Sequence, residues 1–122
     1  MDALTMMITA TVLLAIAALG GLLMAVLRFK GADRPPSTIA MLHGLLAGSA
    51  LTLLLYVAAA VGTSKVALFA ILVLVVVAIV GVSLNLMYHS KLLPLPKQTV
   101  VIHGVAAVVG FTLLLIGLMN AR

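Results

Sequence analysis

The chain has 122 residues, 66% of them hydrophobic and 7% charged, and a formal net charge of +5. A soluble domain is roughly a quarter charged, so water is excluded as the main solvent of most of this chain. It contains no cysteine, which excludes disulfides, thiolate metal sites and covalent haem attachment through a C-x-x-C-H motif.

The first apolar stretch runs over 4–27. It follows Asp2 instead of a basic cluster and exceeds the apolar core of a signal peptide, so it reads as a span and not as a removable leader. A polar connection, Arg28 to Ser37, carries Arg28, Lys30, Asp33 and Arg34 and ends in Pro35 and Pro36, residues tolerated at a helix start. The second stretch covers 38–61, a short turn from Gly62 to Lys65 follows, and the third covers 66–88. A second polar connection, His89 to Gln98, holds Lys91, Pro94, Pro96 and Lys97 before the last stretch, 99–119. Each stretch reaches the ~20 residues that a helix needs to cross about 30 Å of hydrocarbon. The expected fold is all-α: a transmembrane four-helix bundle forming a single integral membrane domain over 1–122.

Arg28, Lys30, Arg34, Lys91 and Lys97 flank the first and third connections, whereas the opposite face has Lys65 and Arg122. The positive-inside rule puts those two connections in the cytoplasm and both termini outside, as for a protein of a bacterial inner membrane. The basic residues are scattered at span ends and aromatics are 4%, which points to lipid headgroups and not to nucleic acid as their counter-charge.

A shift of 60 residues aligns Pro36 with Pro96, His43 with His103, Gly44 with Gly104, Ala47 with Ala107, and Thr52-Leu53-Leu54-Leu55 with Thr112-Leu113-Leu114-Leu115. Spans one and three align more sparsely, Ala10, Leu14, Ala18 and Gly21 matching Ala70, Leu74, Ala78 and Gly81. The pattern is that of a tandem duplication of a two-helix unit, the copies related by an axis along the membrane normal. The matches step by three, four or seven residues and so form helical stripes. Small and polar residues in lipid collect where helices approach one another. His43 and His103 are therefore expected to face inward at equal depth, about two turns from the cytoplasmic surface.

In an up-down bundle, spans two and four lie across a diagonal of about 11 to 14 Å. That is wide for two imidazoles sharing a bare metal ion and suits a porphyrin between them. The expected cofactor is one noncovalent haem b, with His43 and His103 as axial metal ligands. Gly44, Gly104, Ala47 and Ala107 are expected to leave width for the macrocycle. Arg28, Lys30, Arg34, Lys91 and Lys97 lie on the side where propionates need cations. Asn85, on the stripe Ala78, Gly81, Asn85, His89, is expected to bond a propionate or an imidazole N–H.

With His43-Gly44 and His103-Gly104 in four spans, the sequence resembles the small four-helix membrane b-type cytochromes of the cytochrome b561 kind. The resemblance implies an electron-transfer protein. Those families commonly carry two haems on four histidines; this chain has no second inward pair, so one haem is the maximum.

Other features have plainer readings. His89, beside Ser90 and Lys91, reads as a solvated interfacial residue. Thr52 and Thr112 read as residues back-bonding to their own helices, and Gly44-x-x-x-Gly48 as a helix contact. The seven methionines show no repeated spacing for copper. Asp2 and Asp33, the only acids, lie outside the spans, against a proton-coupled carrier that needs an embedded carboxylate.

The expected function is haem b-dependent electron transfer to or from a quinone or a redox partner protein, with a possible quinone-linked activity. Two alternatives stand beside it: a cofactor-free structural subunit of a larger membrane complex or homo-oligomer, and a carrier of a small apolar ligand.

Overall fold

The computed structural model describes residues 1–121; Arg122, counted above with Lys65, lies outside them. Four helices follow one another: α1 (Ala3–Phe29), α2 (Ser37–Tyr56), α3 (Lys65–Leu84) and α4 (Lys97–Asn120). α2 and α3 each widen at their C-terminal end into one π-helical turn, Val57–Val61 and Asn85–His89. All four are long and apolar enough to cross a membrane.

Local chemistry sets the boundaries. The Asp2 carboxylate caps α1 by accepting from the Thr5 N–H at 2.7 Å, and Ser64 caps α3 by accepting from Ala67 N–H at 3.1 Å, as short polar side chains do at helix starts. Pro36 and Pro96 precede α2 and α4. Gly31 (φ 114°) follows α1 and Gly62 (φ 95°) follows the α2 π turn, conformations that a Cβ would strain. Within the helices Thr52 and Thr112 donate to the carbonyls of Gly48 and Val108, both at 2.8 Å. Their hydroxyls are thus satisfied locally, as expected from sequence.

α1 packs most extensively on α2 and α3 on α4; the looser seams α1–α4 and α2–α3 close the bundle, leaving α2 and α4 across a diagonal. The core lies toward the end opposite the two long connections. Met6, Met7, Ala10, Ala50, Leu54, Val57, Ala67, Ala70, Ile71, Leu74, Leu114 and Leu118 are buried there. Small residues bring the backbones close: a Cβ at Gly117 would meet the Ala67 backbone at 3.0 to 3.1 Å. The outer surface is apolar, with Leu19, Val108 and Met119 about 70% exposed. Such a surface is stable against acyl chains and unstable in water.

Candidate functional site: a histidine pair at the bundle centre

His43 on α2 leans on α1. Its Nδ1 lies 2.7 Å from the Ala17 carbonyl oxygen, and its Cε1 lies 3.0 Å from where a Cβ on Gly21 would be. His103 on α4 repeats the arrangement on α3, with Cε1 2.9 Å from a Cβ position on Gly81. The two rings meet with centroids 6.3 Å apart and planes inclined at 68°. Six residues separate Ser37 from His43, so the pair lies about 9 Å along the bundle from the α2 start at 1.5 Å per residue.

A carbonyl oxygen only accepts, so the His43 Nδ1 carries the proton and, in the neutral ring, Nε2 is left as a donor of its lone pair. This is the arrangement that prepares an imidazole to bind a metal, one nitrogen fixed by a carbonyl and the other free. Two imidazoles on opposite sides of one metal, with bonds of about 2.0 to 2.1 Å, have ring centroids about 6 Å apart. The observed centroid separation of 6.3 Å is of that size. Among the described residues no three histidine or carboxylate side chains converge, so a closed tetrahedral site made of protein ligands alone is not assembled here.

The structure brings the His43 and His103 rings together inside the bundle. Ala47 and Ala107, one turn further along, are half-buried. Gly44 and Gly104 differ from expectation: both are exposed, and a Cβ on either would meet nothing within 4 Å. They follow the histidines by one residue, about 100° around the helix, and so face outward. The glycines at the imidazoles are Gly21 on α1 and Gly81 on α3, while Gly20 faces the Cβ of His43. Gly21 and Gly81 already matched in the 60-residue alignment, the signal that marks them. Asn85 also departs from expectation. It is exposed, and its carbonyl accepts from the Ser90 N–H at 2.9 Å, an i→i+5 bond that opens the π turn.

The basic residues form a clasp between the two long connections. Arg28 donates through Nε to the Leu95 carbonyl at 2.8 Å and through Nη1 to that of Ala32 at 3.3 Å. Arg34 donates through Nη1 to the Leu92 carbonyl at 2.8 Å, and the Leu95 N–H donates to the Asp33 carbonyl at 3.0 Å. Lys97 Nζ stands 5.6 Å from the centroid of the Phe29 ring, within cation–π range. Lys30 and Lys91 are exposed. His89 is half-buried and not simply solvated: its Nε2 lies 2.9 Å from the Pro35 carbonyl oxygen, joining the end of α3 to the linker before α2. Sequence reasoning missed this clasp because its acceptors are main-chain carbonyls, which any residue supplies.

Searches of family models, curated proteins and solved structures found nothing that matches this chain. Fold and site together define an all-helical bundle, with four helices long and apolar enough to cross a membrane and a facing histidine pair at its centre.

Proposed function

We propose that this chain is an integral membrane haem b protein for electron transfer, with His43 and His103 as the two axial ligands of one noncovalent haem. The observation that carries the reading is the 6.3 Å separation of the two imidazole centroids, the distance of two rings sharing one metal. Haem iron supplies one-electron redox chemistry when bound. The residues of this chain do the rest. Ala17 orients the His43 ring, Gly21 and Gly81 give the rings room, and the apolar helices keep water away. Arg34 lines a cleft of about 640 Å³ at the loop end with Leu27, Pro36, His89 and Leu92, and with Arg28 offers cationic N–H groups for propionates. In this reading the two helix pairs descend from one duplicated unit, the clasp faces the cytoplasm, and the electron partner is a quinone or a protein. The purified chain, expressed with added haem, tests it by its oxidised and reduced absorption spectra. A sharp reduced α-band at one haem per chain is expected; a colourless, fully helical protein defeats the reading.

A second reading has an observation of its own. The bond from His43 to Ala17 satisfies Nδ1 without any ligand, which suits a cofactor-free structural subunit whose histidines tie helices together. Such a subunit would co-purify with partner chains and stay colourless in excess haem.

A further inference from the structure

The seam between α2 and α3 is one of the two looser seams of the bundle, and it carries two openings. At the loop end, the cleft of about 640 Å³ lies between the linker before α2 and the π turn after α3, with Asp33, Arg34, Ser37, His89 and Ser90 among its walls. Further along the same seam, Leu51 and Leu55 of α2 and Val75, Ile79 and Val82 of α3 line a groove of about 360 Å³. The one hydroxyl there, on Ser83, donates to the Ile79 carbonyl at 2.9 Å, so the groove is apolar. Ser83 lies six residues before His89, which puts the near end of the groove about 9 Å from the cleft at 1.5 Å per residue. α3 and its π turn together hold 25 residues, about 37 Å of helix against about 30 Å of hydrocarbon. The cleft therefore stands at headgroup level. One leaflet fills about 15 Å of the hydrocarbon, so an acyl chain anchored at the cleft runs into the groove.

The charges in the cleft select the headgroup. Arg34 is half-buried and uses one Nη1 donor on the Leu92 carbonyl at 2.8 Å. A guanidinium has five N–H donors, and those that remain suit a phosphate. Asp33, one of two acids in the chain, is exposed in the same cleft. Its carboxylate repels a purely anionic headgroup, whereas a zwitterionic one presents an ammonium to Asp33 and a phosphate to Arg34. We propose that the α2–α3 seam binds a zwitterionic phospholipid of the phosphoethanolamine class, with its phosphate on Arg34, its primary ammonium on Asp33 and one acyl chain in the groove along Leu51, Leu55 and Ile79. The site is separate from the histidine pair and needs no haem; in haem-loaded protein Arg28 is the cation left for propionates.

The test is native mass spectrometry of the purified, haem-free full chain in detergent, offered phosphatidylethanolamine, phosphatidylcholine and phosphatidylglycerol with matched acyl chains. Phosphatidylethanolamine is expected to be retained roughly 10-fold over the other two, the equivalent of one charged hydrogen bond. Asp33→Asn is expected to erase that preference. The bond that Asp33 makes within the fold comes from its main-chain carbonyl, to the Leu95 N–H at 3.0 Å, and asparagine retains it. Arg34→Gln is expected to lower retention of all three lipids by a similar factor. Equal retention of the three by the wild-type chain, a preference for phosphatidylglycerol, or a preference that survives Asp33→Asn overturns the proposal. Glycerophosphoethanolamine, the same headgroup without chains, separates a lipid from a free phosphoester. It is expected to compete at least about 100-fold more weakly than the lipid, because each buried CH₂ of the missing chain adds to affinity. Equal competition overturns the assignment of a lipid.

Discussion

Gly81 stands where a Cβ would lie 2.9 Å from Cε1 of His103, and Gly21 stands in the same relation to His43 at 3.0 Å. Each glycine therefore sets the position of the imidazole on the neighbouring helix. Contacts that short force either the ring or the helix to move, and overpacking of this kind typically costs 1 to 3 kcal/mol. Gly21→Ala and Gly81→Ala are expected to weaken haem uptake by roughly five- to a hundredfold, the equivalent of that cost. Gly44→Ala and Gly104→Ala, with open space at their Cβ positions, are expected to leave it unchanged. Haem titration of the four variants checks the contrast; equal effects would place the glycines of α2 and α4 at the rings instead.

The tightest helix approach predicts an order of stability losses. A Cβ at Gly117 meets the Ala67 main chain, whereas one at Gly110 meets the Leu74 and Val73 side chains. Main chain gives way less readily than a side chain, so Gly117→Ala is expected to cost more than Gly110→Ala, toward the upper part of the 1 to 3 kcal/mol range. Unfolding in mild detergent with increasing denaturant would show the order.

The clasp gives a prediction of opposite sign. Leu92 has φ 59°, a left-handed conformation that costs a residue with a Cβ roughly 1 to 2 kcal/mol. Its side chain is 71% exposed, so little packing is lost with it. Leu92→Gly is expected to hold or raise stability by about 1 kcal/mol. Arg28→Ala, which removes a charged donor from the Leu95 carbonyl, is expected to lower stability by about 1.5 to 3 kcal/mol. Unfolding midpoints of both variants against wild type provide the check.

Much of the architecture could be read from residue patterns, for identifiable reasons. Length and hydropathy locate spans because hydrocarbon penalises every unpaired peptide group, and the observed helices cover the expected 4–27, 38–61, 66–88 and 99–119. The depth and inward direction of His43 and His103 follow from the 60-residue match. The stripe Ala10, Leu14, Ala18, Gly21 was only partly legible: Ala10 is fully buried but Ala18 is exposed, and its neighbour Ala17 is buried in its place. Asn85 escaped the periodicity although it keeps the α-helical bond to Gly81; at the end of the helix it is exposed. The clasp escaped because Arg28, Arg34 and His89 bind carbonyls whose positions depend on how two loops meet, which no local pattern encodes.

At the far end of the molecule, Asp2 supplies a pH-dependent contact. The Thr5 backbone N–H, with the Thr5 side chain adding to it, holds the carboxyl below its ordinary value of 3.8. A depressed carboxylate contributes stability that is complete above its unfolded value and is lost as pH falls through the lower folded value. The Thr5 amide resonance should therefore titrate with a midpoint below 3.8, and Asp2→Ala should abolish that titration and fray the first turn of α1.

The central claim is that His43 and His103 share one iron, and electron paramagnetic resonance of the oxidised, haem-loaded protein tests it most directly. Imidazole planes inclined at 68° are predicted to give the strongly anisotropic low-spin signal of two non-parallel imidazole ligands. That signal should vanish in both His43→Ala and His103→Ala and persist in His89→Ala. Persistence of the wild-type signal in either of the first two variants, or its loss in the third, would contradict the account.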